Sequence, residues 1–160
     1  MTHDDPNPHQ LASLIKAKSK RLGFNDCFIT TPEISEDHQE ALRQWLAKNH
    51  HGSMSYMEKN LELRLNPREL LPGIESVIMV RLNYQPPKPP TPGQYRQKNQ
   101  AVISRYAWGR DYHKVIKGKL KKLATQLNEL CHHQYRFFCD SAPVMERALA
   151  QQAGMGWIGK

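Results

Sequence analysis

Asp140, in the run Asp140-Ser141-Ala142-Pro143, could act as a general acid if its surroundings form a ligand pocket. In a pocket that excludes water, desolvation raises a carboxyl pKa toward neutrality and makes its proton available to a leaving oxygen. The same four residues also read as a polar cap followed by an early proline, the usual start of a helix. A second block, Arg105-Tyr106-Ala107-Trp108-Gly109-Arg110-Asp111-Tyr112-His113, gathers aromatic faces, charged donors and an imidazole. That mixture suits a planar cofactor or a stacked base. Ordinary packing, with Asp111 capping the helix that follows, accounts for it equally well. Arg64 and Arg68 flank Asn66-Pro67 and could grip an anionic or amide-rich ligand, because a guanidinium presents several fixed donors. Plain surface arginines are the alternative.

Two further motifs promise more than they hold. Gly154-Met155-Gly156-Trp157-Ile158-Gly159-Lys160 matches the letters of a dinucleotide-binding turn and the beginning of a P-loop. Both need a strand before and a helix after, so that helix-end amides face phosphate, whereas here a helix is predicted to precede. Helix termination and close backbone packing are the simpler explanation. Cys131-His132-His133 with Cys139 supplies metal-ligand types, but neighbouring residues at a helix end diverge and the spacing fits no standard zinc site.

The elements that must position these groups follow from periodicity. Leu11, Leu14, Ile15 and Leu22 recur at helical spacing before Gly23, and residues 24–29 then read as a short strand. Ala41, Leu42, Trp45 and Leu46 mark a second amphipathic helix, broken by His50-His51-Gly52-Ser53 before a short helical segment at Met54, Tyr56 and Met57. Val77-Ile78-Met79-Val80 is a continuous apolar run of the kind found in strands covered on both faces, which predicts a central strand at about 75–83. Residues 85–100 are Pro-rich, polar and basic and read as an extended surface loop. A short strand is predicted at 102–106. Ile116, Leu120, Leu123, Leu127 and Leu130 then form one stripe of a helix whose remainder carries Lys114, Lys117, Lys119, Lys121 and Lys122. Residues 135–139 read as a strand handing over at Asp140 to a helix that runs to about Ala153. Helices mixed with strands in this way imply an α/β fold with helices covering a central sheet.

Composition agrees with one globular domain: 160 residues, 39% apolar and 24% charged. A formal charge of +8 favours contact with a polyanion through counterion release. No apolar run approaches the roughly 20 residues that cross a bilayer, and the polar, Pro-bearing start is unlike a signal peptide, so a cytoplasmic location is expected. Cys27, Cys131 and Cys139 support neither a disulfide framework nor an iron-sulfur motif and read as reduced, mostly packed thiols.

Taken in order and spacing, His51-Gly52-Ser53-Met54, Arg64-Leu65-Asn66-Pro67, Leu70-Leu71-Pro72-Gly73, the block from Ser104 to His113, Asp140-Ser141-Ala142-Pro143, Glu146-Arg147 and Ala153-Gly154-Met155-Gly156-Trp157-Ile158-Gly159-Lys160 resemble the epoxyqueuosine reductases. The resemblance spans nearly the whole chain. It implies a cobalamin- and iron-sulfur-dependent reductase that converts epoxyqueuosine at the tRNA wobble position to queuosine, with residues 1–160 as the incomplete N-terminal cobalamin-binding domain. By the same resemblance the position of Asp140 is the proton donor, and Arg64, Ser104, Asp140 and Lys160 lie against the cobalamin. Family members continue past the Gly-Lys with a further sheet segment, cysteine runs for two four-iron clusters and a helical C-terminal region, none of which is present here. Native turnover is therefore not expected of these 160 residues alone. The expected partner is tRNA rather than a membrane; the intact family is monomeric, while an exposed sheet edge would permit an oligomer. The competing reading is a non-enzymatic basic RNA-binding module that grips phosphates through the Lys114 to Lys122 helix and the Lys88 loop.

Overall fold

The computed structural model describes residues 7–85, 101 and 103–159. The first helix, α1 (Pro8–Arg21), starts on a reciprocal cap: the Asn7 side chain accepts from the Gln10 amide, and the Gln10 side chain accepts from the Asn7 amide. Lys18, Lys20 and Arg21 complement its C-terminal dipole, and Gly23, at φ +82°, ends it as the sequence predicts. Phe24 goes into the core at this reversal, so strand pairing begins only at β1 (Asp26–Thr30), two residues later than periodicity suggests. The helix α2 (Glu36–Ala47) and a 3-10 turn at Ser55–Met57 lie where the apolar pattern puts them, followed by a short helix, α3 (Leu61–Leu65).

The predicted apolar strand is β2 (Val77–Arg81), which pairs antiparallel with β1 in the register Asp26 to Arg81 through Thr30 to Val77. Its continuous apolar run is explained by helices on both faces. Ile78 and Val80 pack, with Cys27 and Ile29 of β1, on a cluster built from Ile15, Leu123 and Leu127; Val77 and Met79 pack on a second cluster of Ile34, Ala148 and Leu149. The strand is not central, however: the sheet of the described residues has two strands, each with a free edge, and its apolar residues are only half-buried.

Helix α4 (Tyr112–Asn128) is capped by the Asp111 side chain, which accepts from the His113 amide at 2.9 Å. Leu123 and Leu127 are buried as the stripe requires, while Lys114, Lys121 and Lys122 are exposed. Lys119 departs from the basic outer face: its ammonium donates to the Leu22 carbonyl at the end of α1 and lies 5.9 Å from the centre of the Phe24 ring.

Three further expectations fail. Of the strand at 102–106, Val102 lies outside the described residues, as do residues 86–100 of the Pro-rich loop, and Arg105–Ala107 is a 3-10 turn closed by Ala107 donating to Ser104. Residues 135–138 carry no regular structure, Cys139 lies in a bend, and none pairs with a strand among the described residues; the Tyr135 and Phe137 rings stack on each other and Arg136 lies over Phe138, so the alternation serves local packing. The last helix, α5 (Glu146–Gln152), starts six residues after Asp140, which is therefore not its cap. Asp140 has φ +51°, and Ala142, preceding Pro143, is biased away from the helical region, so a helix cannot begin there.

Leu149, 1% exposed at the centre of the second cluster, predicts a loss of about 2–5 kcal/mol for Leu149→Ala in urea unfolding followed by circular dichroism. Leu14→Ala, at a residue 39% exposed, should cost far less.

Candidate active site

Asp140 is held from two sides. Its backbone amide donates to Oε1 of Glu146, the first residue of α5, at 3.2 Å. Its Oδ2 accepts the phenol proton of Tyr112, the first residue of α4, at 2.6 Å. His113 Nε2 stands 3.9 Å from the same oxygen, and its Nδ1 lies 3.1 Å from Asp111 Oδ1. The Tyr112 and His113 rings stack with centroids 3.9 Å apart, and Tyr106 meets Tyr112 edge-on at 5.8 Å. The aromatic segment flagged in the sequence and the candidate acid are thus one cluster. The cap at Asp111 starts α4 so that Tyr112 faces the 139–141 turn, and the left-handed backbone at Asp140 returns its carboxyl toward that phenol.

The electrostatics divide the roles. The hydrogen bond to Asp140 pushes Tyr112 up to about 12, so it remains a phenol donor at any physiological pH. Burial pushes the Glu146 carboxyl above its ordinary range, and the neighbouring Asp140 charge adds to this. Burial likewise pushes the Cys139 thiol up, with Asp140 and Glu146 contributing, which keeps it a neutral thiol and a poor nucleophile. The Asp140 side chain itself is 54% exposed. The desolvation that the sequence reading required of Asp140 falls instead on Glu146, which is half-buried. An oriented carboxyl beside exposed aromatic faces can deliver a proton to a ligand that comes to cover it.

The remaining candidates separate. Arg64, in α3, donates to the Tyr56 carbonyl at 3.5 Å, and its buried Nε has no partner among the described residues. Arg68 is a brace, paired with Glu33 and donating to the Ile74 carbonyl at 2.8 Å. Ser104 is exposed at the head of the 3-10 turn of the aromatic segment. Lys160 lies outside the described residues. His132 bonds Asn128 and His133 bonds the Cys131 carbonyl, and the described residues contain no cluster of three metal-ligand side chains. Gly154, at φ +80°, ends α5, with no strand before it and no helix after it among the described residues, which supports helix termination over a phosphate loop. An open hollow of about 470 Å³ lined by Asn25, Arg81, Leu82, Asn83, Tyr84 and Gln85 holds none of the candidate residues. Tyr112 was flagged only as part of the aromatic block and Glu146 only within the resemblance; their contacts with Asp140, 28 and six residues away, follow from neither position because neither offset is a helical one.

A family profile described as epoxyqueuosine reductase QueG, DUF1730 matches residues 64–141, from Arg64 to just past Asp140. The epoxyqueuosine reductase of Aliivibrio fischeri is 46% identical over 155 residues, 96% of this chain and 42% of that protein. This chain is a relative of the epoxyqueuosine reductases. The Streptococcus thermophilus epoxyqueuosine reductase structure superposes with a TM-score of 0.77 at 26% identity, over 92% of this chain and 39% of that one. Another epoxyqueuosine reductase, solved with an epoxyqueuosine-modified tRNA stem loop, shares the fold with a TM-score of 0.75 at 23% identity, over 93% of this chain and 39% of its own. The Bacillus subtilis enzyme, in a structure described as having its catalytic aspartate loop swung out of the active site, gives 0.69 at 25% identity, over 93% of this chain and 39% of its own. The chain spans about two fifths of the length of the reductases it matches.

Glu146 carries a pH test. Its folded-state value is raised, so between its ordinary 4.5 and the raised value the native state binds more protons than the unfolded one. Its contribution therefore makes stability fall as pH rises through that window. Glu146→Gln should remove this component of the slope in urea midpoints measured from pH 4.5 upward; an unchanged slope would contradict the burial assigned to it.

Proposed function

We propose that this chain is the N-terminal, cobalamin-holding part of an epoxyqueuosine reductase, in which Asp140 protonates the oxygen freed when the epoxide of epoxyqueuosine in tRNA is reduced to queuosine. The observation that carries this reading is the fixed, half-exposed carboxyl of Asp140, bonded by Tyr112 beside the exposed Tyr106 ring and inside the matched segment.

The residues present fit a cobalamin. Arg64 keeps a buried, unpartnered Nε, and a corrin edged with amides offers acceptors for it. The exposed Tyr106 and Trp108 rings give flat apolar surface of the kind a macrocycle covers. Arg64, Ser104, Asp140 and Lys160 are the residues we assign to holding the group. Cobalamin, when bound, supplies electrons to the epoxide carbon. This chain's residues do the rest: Tyr112 keeps the Asp140 carboxyl oriented through Oδ2, a covering ligand removes the water that now reaches it, and its proton passes to the developing alkoxide. Iron-sulfur clusters do not fit these residues, since the three cysteines are scattered at 27, 131 and 139, and no step is assigned to them.

Lys114, Lys121 and Lys122, exposed along α4, favour phosphate contacts with the tRNA. The same lysines would serve a non-enzymatic RNA-binding module, which predicts steeply salt-dependent RNA binding and indifference to cobalamin. A cytoplasmic site of action fits a tRNA substrate. No helix of the described residues is long and apolar enough to cross a membrane.

The test is to mix the chain anaerobically with cob(II)alamin, remove free cofactor by gel filtration and record absorbance and electron paramagnetic resonance spectra. Retained cobalamin with an altered cobalt signal is expected. Arg64→Ala should weaken retention by about tenfold or more, the loss of one charged hydrogen bond. A folded chain that elutes free of cobalamin at every concentration would reject the reading and leave the RNA-binding module in its place.

A further inference from the structure

Asp140 has a carboxyl neighbour that no role described so far uses. Glu146 accepts the Asp140 amide at 3.2 Å, and the two side chains are themselves within hydrogen-bonding reach. Two carboxyls this close do not ionise independently, and the cheaper arrangement is one proton between them. Their surroundings differ: the Asp140 side chain is half-exposed and takes the Tyr112 phenol on Oδ2, whereas Glu146, at the start of α5, is half-buried and more desolvated. The proton therefore rests on the more buried partner.

We propose that Asp140 and Glu146 are a coupled carboxyl pair, clamped by Tyr112, in which Glu146 holds the proton that Asp140 delivers. This rests on the reading of Asp140 as the proton donor. When a ligand covers the pair, the Glu146 hydroxyl proton moves to the Asp140 carboxylate, Asp140 passes a proton to the alkoxide oxygen, and the Glu146 carboxylate left behind regains a proton from water. No electron moves in this step. Glu146 acts through Asp140 and is a positioning residue, not one that touches substrate. Burial and the Asp140 charge both favour protonated Glu146, in keeping with the geometry. The other ionisable groups facing the pair are Tyr112, His113 with its Asp111 partner, Cys139, and Lys117 on the Cys139 side.

The test is carboxyl-carbon NMR titration of the intact chain labelled at aspartate and glutamate, with Asp140→Asn and Glu146→Gln to assign the two signals. Coupling predicts that each signal follows two steps in the wild type, and that Asp140 collapses to one step in Glu146→Gln. His113→Gln should keep two steps, which separates the carboxyl partner from the imidazole. Independent single steps for both residues in the wild type overturn the pair, and that result needs no variant to fold. The titration uses no cofactor, so the two readings can fail separately. Cobalamin retention without coupling removes the pair alone. Coupling in a folded chain that never retains cobalamin removes the donor role and the relay with it.

Discussion

The hydrogen bond from the Tyr112 phenol to Asp140 Oδ2 is the contact on which the candidate site depends. It ties the first residue of α4 to a turn whose backbone sits at φ +51°, a conformation that costs a non-glycine residue of the order of 1 kcal/mol and persists only where neighbours hold it. The second hold, from Glu146 on the Asp140 amide, comes from the first residue of α5. Each helix is anchored in a different core cluster: α4 through Leu123 and Leu127 on one face of the sheet, α5 through Ala148 and Leu149 on the other. The turn carrying the acid is thus spanned between two packed layers, with the β1–β2 ribbon as the common floor.

That arrangement explains the division of exposure within the cluster. The core buries Cys139 at the base of the site, half-buries Glu146 and leaves the Asp140 side chain facing out. A carboxyl held in this way has a fixed direction before any ligand arrives, so orienting it is not left to the moment of reaction. The unpartnered Nε of Arg64 follows the same logic, a buried donor awaiting an acceptor, whereas Arg68 has spent its donors on Glu33 and Ile74.

Much of the fold was legible in the sequence because it obeys one local rule at a time. The stripes of α1, α2 and α4, the stop at Gly23, the cap at Asp111 and the doubly covered run at 77–80 each follow from spacing and residue type. Residues 135–139 were misread because aromatic alternation reports a period and not the presence of a partner strand. The start of α5 was misread because a cap-like motif at Asp140 competes with a proline that forbids helix at the preceding residue, and the left-handed turn won. Lys119 looked like part of a solvated face, but its place opposite the open carbonyls of α1 is a tertiary fact. In the site, Asp140 and the aromatic block were visible as separate candidates, while the Tyr112 and Glu146 contacts that join and brace them depend on how two helices land on one sheet.

The Asp140 turn is held from both sides, and amide hydrogen exchange at Asp140 tests this most directly. The account predicts that the Asp140 amide exchanges much more slowly than amides of comparable exposure, and that Glu146→Ala releases it while protection in α4 and β1 is unchanged. Exchange at the unprotected rate in the wild-type chain would show that the turn is not held and would contradict the account.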